Sequence, residues 1–306
     1  MKRRIFLQKA ATAGVLMAAG GFPLEALAKG DVEKLTILHT NDQHSRIEPF
    51  PMDGGKYQGL GGFAQRATLI NAIREQEKNV LLLDSGDIWQ GTPYFNKYLG
   101  EIEFRLMSEM KYDASTLGNH DFDAGLDGFA KQFPLAQFPF LNCNYTFTNT
   151  PMQGKISPFK VFKKGEIKVG VFGVGIELEG LVPRDLYGEI KYNDPITNAQ
   201  KTADLLKHDM DCDMVICLSH LGYKYDDKKV SDVVLAQSTS NIDLILGGHT
   251  HTFFEKPEEF SNATGEKVLV NQVGWAGIYL GRLDFYLEKK KKISLLSGNP
   301  KLISNS

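Results

Sequence analysis

Between Gly118 and Gly125 the chain reads "GNHDFDAG", which sets Asn119, His120, Asp121 and Asp123 close together just after a short apolar run. Polar side chains at that density, fenced by glycines, suit neither a core nor a helix interior. Their plain interpretation is a polar turn; their chemical one is a loop of ligands and proton-transfer groups at a strand end. Four other stretches share this make-up: "NDQH" with Asp42 and His44, "DSGDIWQG" with Asp87, "SHLG" with His220, and "GGHTH" with His249 and His251. The chain has seven histidines and five fall in these loops, where chance would scatter them more evenly. Imidazole, carboxylate and amide donors without a thiolate suit Zn, Mn or Fe. Asp42, His44, Asp87, Asn119, His220, His249 and His251 are too many donors for one ion. Two ions about 3.5–4 Å apart, sharing a bridging carboxylate, would use them all. Singly, Asp42 could cap a turn, Asp87 could cap a helix, Asn119 could sit in a left-handed turn, and His220 could be a hydrogen-bonded half-buried ring. Their joint occurrence in this order is what points to a metal site.

Positioning such donors requires strands that stop beside one another. "LTILHTN", "NVLLLDSGD", "DASTLGN", "FPFLNCN", "KVGVFGV", "DMVICLSH" and "NIDLILGGH" read as strands. Most are continuous apolar runs rather than alternating ones, so they should be buried on both faces. Helical patterns lie between several of them, over Phe63 to Gln76, Asn96 to Met110, Leu126 to Phe133, Thr197 to Met210 and Lys228 to Ser238. Strand–helix alternation with buried strands predicts a layered α/β domain, with its site where the strands run out. In extended backbone, Asp42 and His44 would face one side together, as would His249 and His251. Further on, "EKVLVNQVG" and "GIYLGRLDFYLE" read as a strand pair with no helix between them. A mixed sheet, or two packed sheets covered by helices, therefore fits better than a purely doubly wound one. The lysine run 289–292 reads as a solvated turn between strand ends.

A net charge of −2 over 306 residues gives no electrostatic reason to expect a nucleic-acid polymer or an anionic membrane as partner. A small phosphorylated substrate remains open, because a site can be cationic while the whole is not. Residues 1–28 read as an export signal: basic "MKRR", apolar "AATAGVLMAAGG", and the small-x-small site "ALA" before Lys29. Arg3 and Arg4 ahead of "IFLQK" resemble a twin-arginine signal, which places the mature chain in a bacterial periplasm. The apolar run is too short to span a membrane, and no cysteine follows it to take a lipid, so no membrane anchor is expected. Residues 29–306 then form one catalytic domain. Cys143, Cys212 and Cys217 read as small buried hydrophobes.

The joint set D-x-H, G-D, G-N-H-[DE], H and G-H-x-H resembles that of the calcineurin-like metallophosphoesterases. "ILHTNDQH", "GDIWQGTPYF", "GNHDFDAG" and "GGHTH" are similar to the 5'-nucleotidase branch, over Leu35 to about Leu302. The resemblance implies a four-layer α-β-β-α sandwich with mixed sheets and two divalent ions, Zn or Mn. It implies hydrolysis of nucleotides or similar small phosphate esters by a metal-activated water. By motif position, Asp42, His44 and His251 would hold the first ion, Asn119, His220 and His249 the second, and Asp87 would bridge them. His120 would be the acid, Asp123 the carboxylate that orients and charges it, and Asp121 a structural residue. Two positions depart from the branch pattern: Ser45 stands where Gly is usual, and His251 where several nucleotidases carry Gln or Asn. Histidine there is common in related phosphodiesterases, so 2',3'-cyclic-nucleotide phosphodiesterase and thiosulfate-ester hydrolase are the alternative activities. A non-catalytic phosphate-binding subunit is the alternative outside enzymes. The family's C-terminal substrate domain, which stacks aromatic side chains on the base, has no counterpart before "NPKLISNS". A separately encoded substrate-binding partner, or a looser ester range, is therefore expected. Trp89, Tyr94 and Phe95 are the aromatic candidates near the site, with packing the role expected for at least some of them.

Overall fold

The structure is a computed structural model that describes residues 32–288 and 293–304. The expected export signal over 1–28 and the expected turn over 289–292 lie outside the described residues. One sheet contains β1 (Val32–Thr40), β2 (Val80–Asp84), β3 (Ala114–Ser115), β12 (Tyr279–Glu288), β13 (Ile293–Gly298) and β14 (Lys301–Leu302). Its order is β13-β12-β1-β2-β3, with β14 paired to β12. The other contains β5 (Phe159–Lys164), β6 (Ile167–Val174), β8 (Met214–Ser219), β9 (Leu244–Leu246), β10 (Glu258–Ser261) and β11 (Lys267–Asn271), in the order β10-β11-β9-β8-β6-β5. A small ribbon pairs β4 (Tyr145–Thr146) with β7 (Lys191–Tyr192). Both large sheets are mixed: β1 runs parallel to β2 but antiparallel to β12, and β6 runs parallel to β8 but antiparallel to β5.

Side-chain parity explains the layers. Odd-numbered residues of β1 and β2 (Leu35, Ile37, Leu81, Leu83) and of β12 (Leu283, Phe285, Leu287) pack in one cluster with Val169, Val171, Met214, Ile216, Leu218, Leu244 and Leu246 of the other sheet. The opposite parity faces outward under helices. Leu38, Val80 and Leu82 meet Phe63, Ile70 and Ile73 of α1 (Phe63–Gln76), and the same cluster includes Phe104 and Met107. Phe172, Val174, Val215, Cys217 and Ile245 meet Ala199, Ala203, Leu206, Leu235 and Ala236. Strands of period two with apolar side chains on both faces can only be buried between two layers, and the result is the four-layer sandwich. Cys143, Cys212 and Cys217 are free thiols in or against the second outer layer. Among the described residues no helix is long and apolar enough to cross a membrane.

Several elements differ from the sequence expectation. The helix over 96–110 is two helices, α2 (Pro93–Tyr98) and α3 (Glu101–Glu109). Leu99 and Gly100 between them take φ of 48° and 89°, and a Cβ on Gly100 would stand 2.1 Å from the Trp89 ring. The Trp89 indole needs that space, so the helix breaks there. After α4 (Gly125–Gln132), "FPFLNCN" makes only the isolated bridges Ser115–Phe140 and Leu141–Ser157 instead of a strand. A single turn, α5 (Arg184–Tyr187), precedes α6 (Pro195–Asp204), which Asp194 caps by accepting from the Thr197 N–H at 2.7 Å. The helix expected from Lys228 starts later, as α7 (Asp232–Ser238), because Ser231 caps it by accepting from the Val234 N–H. The expected terminal strand pair is not a pair. β11 joins β9 and β10 in one sheet, while β12 joins β1 and β13 in the other, and residues between them carry the chain across.

Candidate metal centre

β1, β2, β3, β8 and β9 deliver Asp42, Asp87, Asn119, His220 and His249 from their carboxyl ends. The backbone around these donors is not extended, contrary to the two-residue-spacing expectation. Asp42, His44, Ser45, Asp87, His249 and His251 all take left-handed φ, between 48° and 71°. Such conformations cost non-glycine residues about 1–3 kcal/mol each and persist only where surroundings impose them. Here the loops after β1 and β2 impose them on each other: Asp42 N–H donates to the Gly86 carbonyl at 2.9 Å, His44 to Asp87 at 3.1 Å, and Ser45 to Ile88 at 2.9 Å. Glycine is required at two close approaches. A Cβ on Gly118 would lie 2.1 Å from Asp87 Oδ1, and one on Gly248 would lie 2.8 Å from His220 Nδ1.

The seven donors named from the sequence come together. Asp42, His44 and His251 form one group and Asp87, His220 and His249 another, each with donor atoms within 4.8 Å of one another. Asn119 stands beside the second group, its Oδ1 2.8 Å from His249 Nδ1. Asp87 Oδ2 reaches both groups, at 3.2 Å from His220 Nε2 and 3.9 Å from His44 Nε2. Asp42 Oδ1 is 3.3 Å from His251 Nε2 and 4.0 Å from the Nε2 atoms of both His44 and His220.

The ring orientations test whether cations fit. His220 Nδ1 lies 2.6 Å from the Ser85 carbonyl oxygen, and His44 Nδ1 lies 3.3 Å from that of Trp89. A carbonyl only accepts, so Nδ1 carries the proton and Nε2 presents its lone pair. This carbonyl-anchored arrangement is how metal-binding imidazoles are held. His220 Nε2 is buried and faces the Asp87 carboxylate at 3.2 Å. Burial lowers the His220 pKa, but facing Asp87 and Asp42 it is drawn up to about 10. The surroundings are thus arranged to hold positive charge at that nitrogen. Burial pulls His249 down to about 4 and lowers His44 as well, which keeps those rings neutral. Buried carboxylate oxygens and imidazole nitrogens facing one another fit a pair of divalent ions.

His120 belongs to neither group. Its Nδ1 is 2.8 Å from Asp123 Oδ2, and both side chains are partly exposed. The hydrogen bond to Asp123 raises the His120 pKa against the pull of burial. The His120 backbone N–H donates to Asp87 Oδ1 at 2.8 Å, which ties the His120–Asp123 loop to the loop after β2.

Beneath these residues lie carboxylates that the sequence reading passed over or left without partners. Asp121 accepts from the N–H groups of Gly118 at 2.8 Å, Ile88 at 2.9 Å and Asp87 at 3.0 Å. Asp84 accepts from Thr40 at 2.6 Å, Gln43 at 2.7 Å and Ser115 at 2.9 Å, joining three strand ends. Asp232 accepts from Ser219 at 2.5 Å, and Gln272 donates to the Gly248 carbonyl at 2.7 Å. Asp84 was visible as the first acid of "DSGD"; Asp232 and Gln272 carried no local signal. Asp121→Asn is expected to lower stability by about 1–3 kcal/mol, since one amide oxygen cannot serve three buried N–H donors. Urea denaturation of the purified variant checks this, and an unchanged midpoint would refute it.

Packing is the role of two of the three aromatic candidates. Trp89 and Phe95 are buried in the helical layer, Trp89 stacked on Phe104 with centroids 5.0 Å apart. Tyr94 bonds to Glu48 at the surface. Trp275, which the sequence reading passed over, lies flat on His251 with ring centroids 5.6 Å apart and planes 7° apart.

Comparison with known proteins agrees with this geometry. The family model for calcineurin-like phosphoesterases matches residues 35–253. A snake venom 5'-nucleotidase from Naja atra is 37% identical over 89% of this chain and 54% of its own length. The solved 5'-nucleotidase precursor from Thermus thermophilus superposes with a TM-score of 0.81 at 29% identity, over 89% of this chain and 55% of that one. The NAD nucleotidase of Haemophilus influenzae gives a TM-score of 0.79 at 28% identity, over 89% of this chain and 57% of that one. The chain thus spans about half the length of these relatives. From the donor groups, the sandwich that positions them and the matched family model, the chain belongs to the calcineurin-like phosphoesterase family.

Proposed function

We propose that this chain is the catalytic unit of an exported phosphoesterase that hydrolyses nucleotides or similar small phosphate esters with two divalent ions, Zn or Mn. The observation that carries the reading is the pair of carbonyl-anchored imidazoles, His44 and His220, whose Nε2 atoms face the same Asp87 carboxylate. In this reading Asp42, His44 and His251 would hold one ion and Asn119, His220 and His249 the other, with Asp87 serving both. Bound there, the ions supply Lewis acidity and lower the pKa of water. The chain's own residues do the rest. The donor loops fix where the phosphate sits, and positioning supplies much of the catalysis in phosphoryl transfer. His120 gives its Nε2 proton to the ester oxygen as the P–O bond breaks, while Asp123 retains the Nδ1 hydrogen bond and keeps the ring oriented. The similarity to proteins named 5'-nucleotidases supports nucleotides as substrates, and Arg3 and Arg4 before an apolar run support twin-arginine export to a periplasm.

Phosphate release from para-nitrophenyl phosphate tests the reading, measured on chelator-stripped protein with and without added Zn or Mn. Turnover restored by metal is the expected outcome; phosphate binding without turnover would make the chain a binding subunit instead. Selectivity among esters should be modest. The preference for adenosine 5'-monophosphate over ribose 5-phosphate, as a ratio of kcat/KM, is expected below about 10³-fold, since only polar contacts left unpaired by the wrong substrate give larger ratios. A larger preference would show base-specific hydrogen bonding.

A further inference from the structure

Beside the first donor group the surface is aromatic. Trp275 lies on His251 and continues edge-on into Phe50 at 5.7 Å and Tyr57 at 6.3 Å between centroids. Tyr57 stands nearly parallel to Phe253, at 6.4 Å and 22°. These rings are not core: Phe50, Tyr57 and Trp275 are half-buried and Phe253 is 40% exposed. Two cations lie over this surface, the Arg46 guanidinium 4.3 Å from the Phe50 centroid and Lys56 Nζ 5.0 Å from that of Tyr57. The position of the rim relative to the acid is fixed by His44, whose ring is 5.4 Å from His120 and 6.5 Å from Trp275. The two imidazoles packed on His44, His120 and His251, are 36% and 39% exposed, against 9% for His44 itself. The acid and the aromatic rim therefore share the open mouth of the site.

A leaving group protonated by His120 must leave through that mouth. We propose that Tyr57, Phe253 and Trp275 form a stacking subsite for the planar base of a nucleotide, so that the catalytic unit itself grips the leaving nucleoside. The inference rests on the phosphoesterase reading and adds where the base is held. Aromatic faces stack any base, because every base has a π-face, and Arg46 and Lys56 favour an anionic ester over a neutral one. Stacking on one such ring changes affinity by about 5- to 100-fold.

Two measurements test it. Trp275 and Trp89 are the only tryptophans, and Trp89 is fully buried, so emission changes at the mouth report on Trp275. Titration with adenosine, which has no phosphate to bind the metals, should quench the emission saturably, whereas ribose should not. Trp275→Phe should abolish the quenching. In the Tyr57→Ala/Phe253→Ala variant the adenosine titration should shift to concentrations higher by about 5-fold or more. The same variant should lower the ratio of kcat/KM for adenosine 5'-monophosphate over ribose 5-phosphate by about 5- to 100-fold. An emission unaffected by adenosine overturns the subsite, as does an unmoved ratio in an active variant. If neither ester is hydrolysed by the parent protein, the phosphoesterase reading fails instead, and the adenosine titration still decides the rim.

Discussion

Asp87→Ala is expected to purify with less metal than any other single-donor variant, Asp42→Ala included. Asp87 Oδ2 faces an imidazole nitrogen of each donor group, at 3.2 Å from His220 and 3.9 Å from His44, while its Oδ1 accepts the His120 N–H at 2.8 Å. Its removal takes a ligand from both proposed ions and loosens the dyad loop at once. The site is buried, with Asp87 only 2% exposed, so water cannot readily replace the carboxylate. Metal affinity should weaken by more than about 100-fold, beyond what loss of an outer hydrogen-bond partner costs. Asn119→Ala, which touches only the second group, should retain more. Elemental analysis after desalting measures this directly, and undiminished metal in Asp87→Ala would rule out the shared-carboxylate assignment.

His120→Asn should keep its metal and lose roughly 10²- to 10⁴-fold in turnover, the usual size of a general-acid contribution. Metal retention follows because His120 stands outside both donor groups, with its Nδ1 committed to Asp123 at 2.8 Å. Asp123→Asn should show part of the same loss, because an amide neither charges the imidazole nor fixes its tautomer as a carboxylate does. The double variant should be no slower than His120→Asn, since residues that act as one unit do not add. Metal loss on His120→Asn would make the residue a ligand and undo the dyad. Additive losses in the double variant would separate Asp123 from it.

The layered architecture was legible because it is written in local composition. Runs such as "VLLLD" and "MVICLS" place apolar side chains on both strand faces, and every residue of these two strands is buried. Helix α1 runs over the residues its pattern predicted. The edge strand β5 was missed because "FKVFKK" mixes lysines with partly buried residues; an edge facing water is under weaker apolar selection, and charge guards it against pairing. The break at Leu99 and Gly100 was missed because its cause, the Trp89 ring, lies in another segment.

By itself the sequence determined which chemistry is available: imidazoles, carboxylates and an amide, in a fixed order, each just beyond an apolar run. Donor chemistry belongs to the side chain and survives without a partner in view. Tertiary structure alone decided which donors share a space. The His249 N–H donates to Asp42, 207 residues away, and Trp275 rather than Trp89 lies against the His251 ring. Those outcomes depend on how two sheets and their loops close on one another. Left-handed backbone at five of the seven donors, imposed by contacts between loops, is something no local pattern of residue types prescribes.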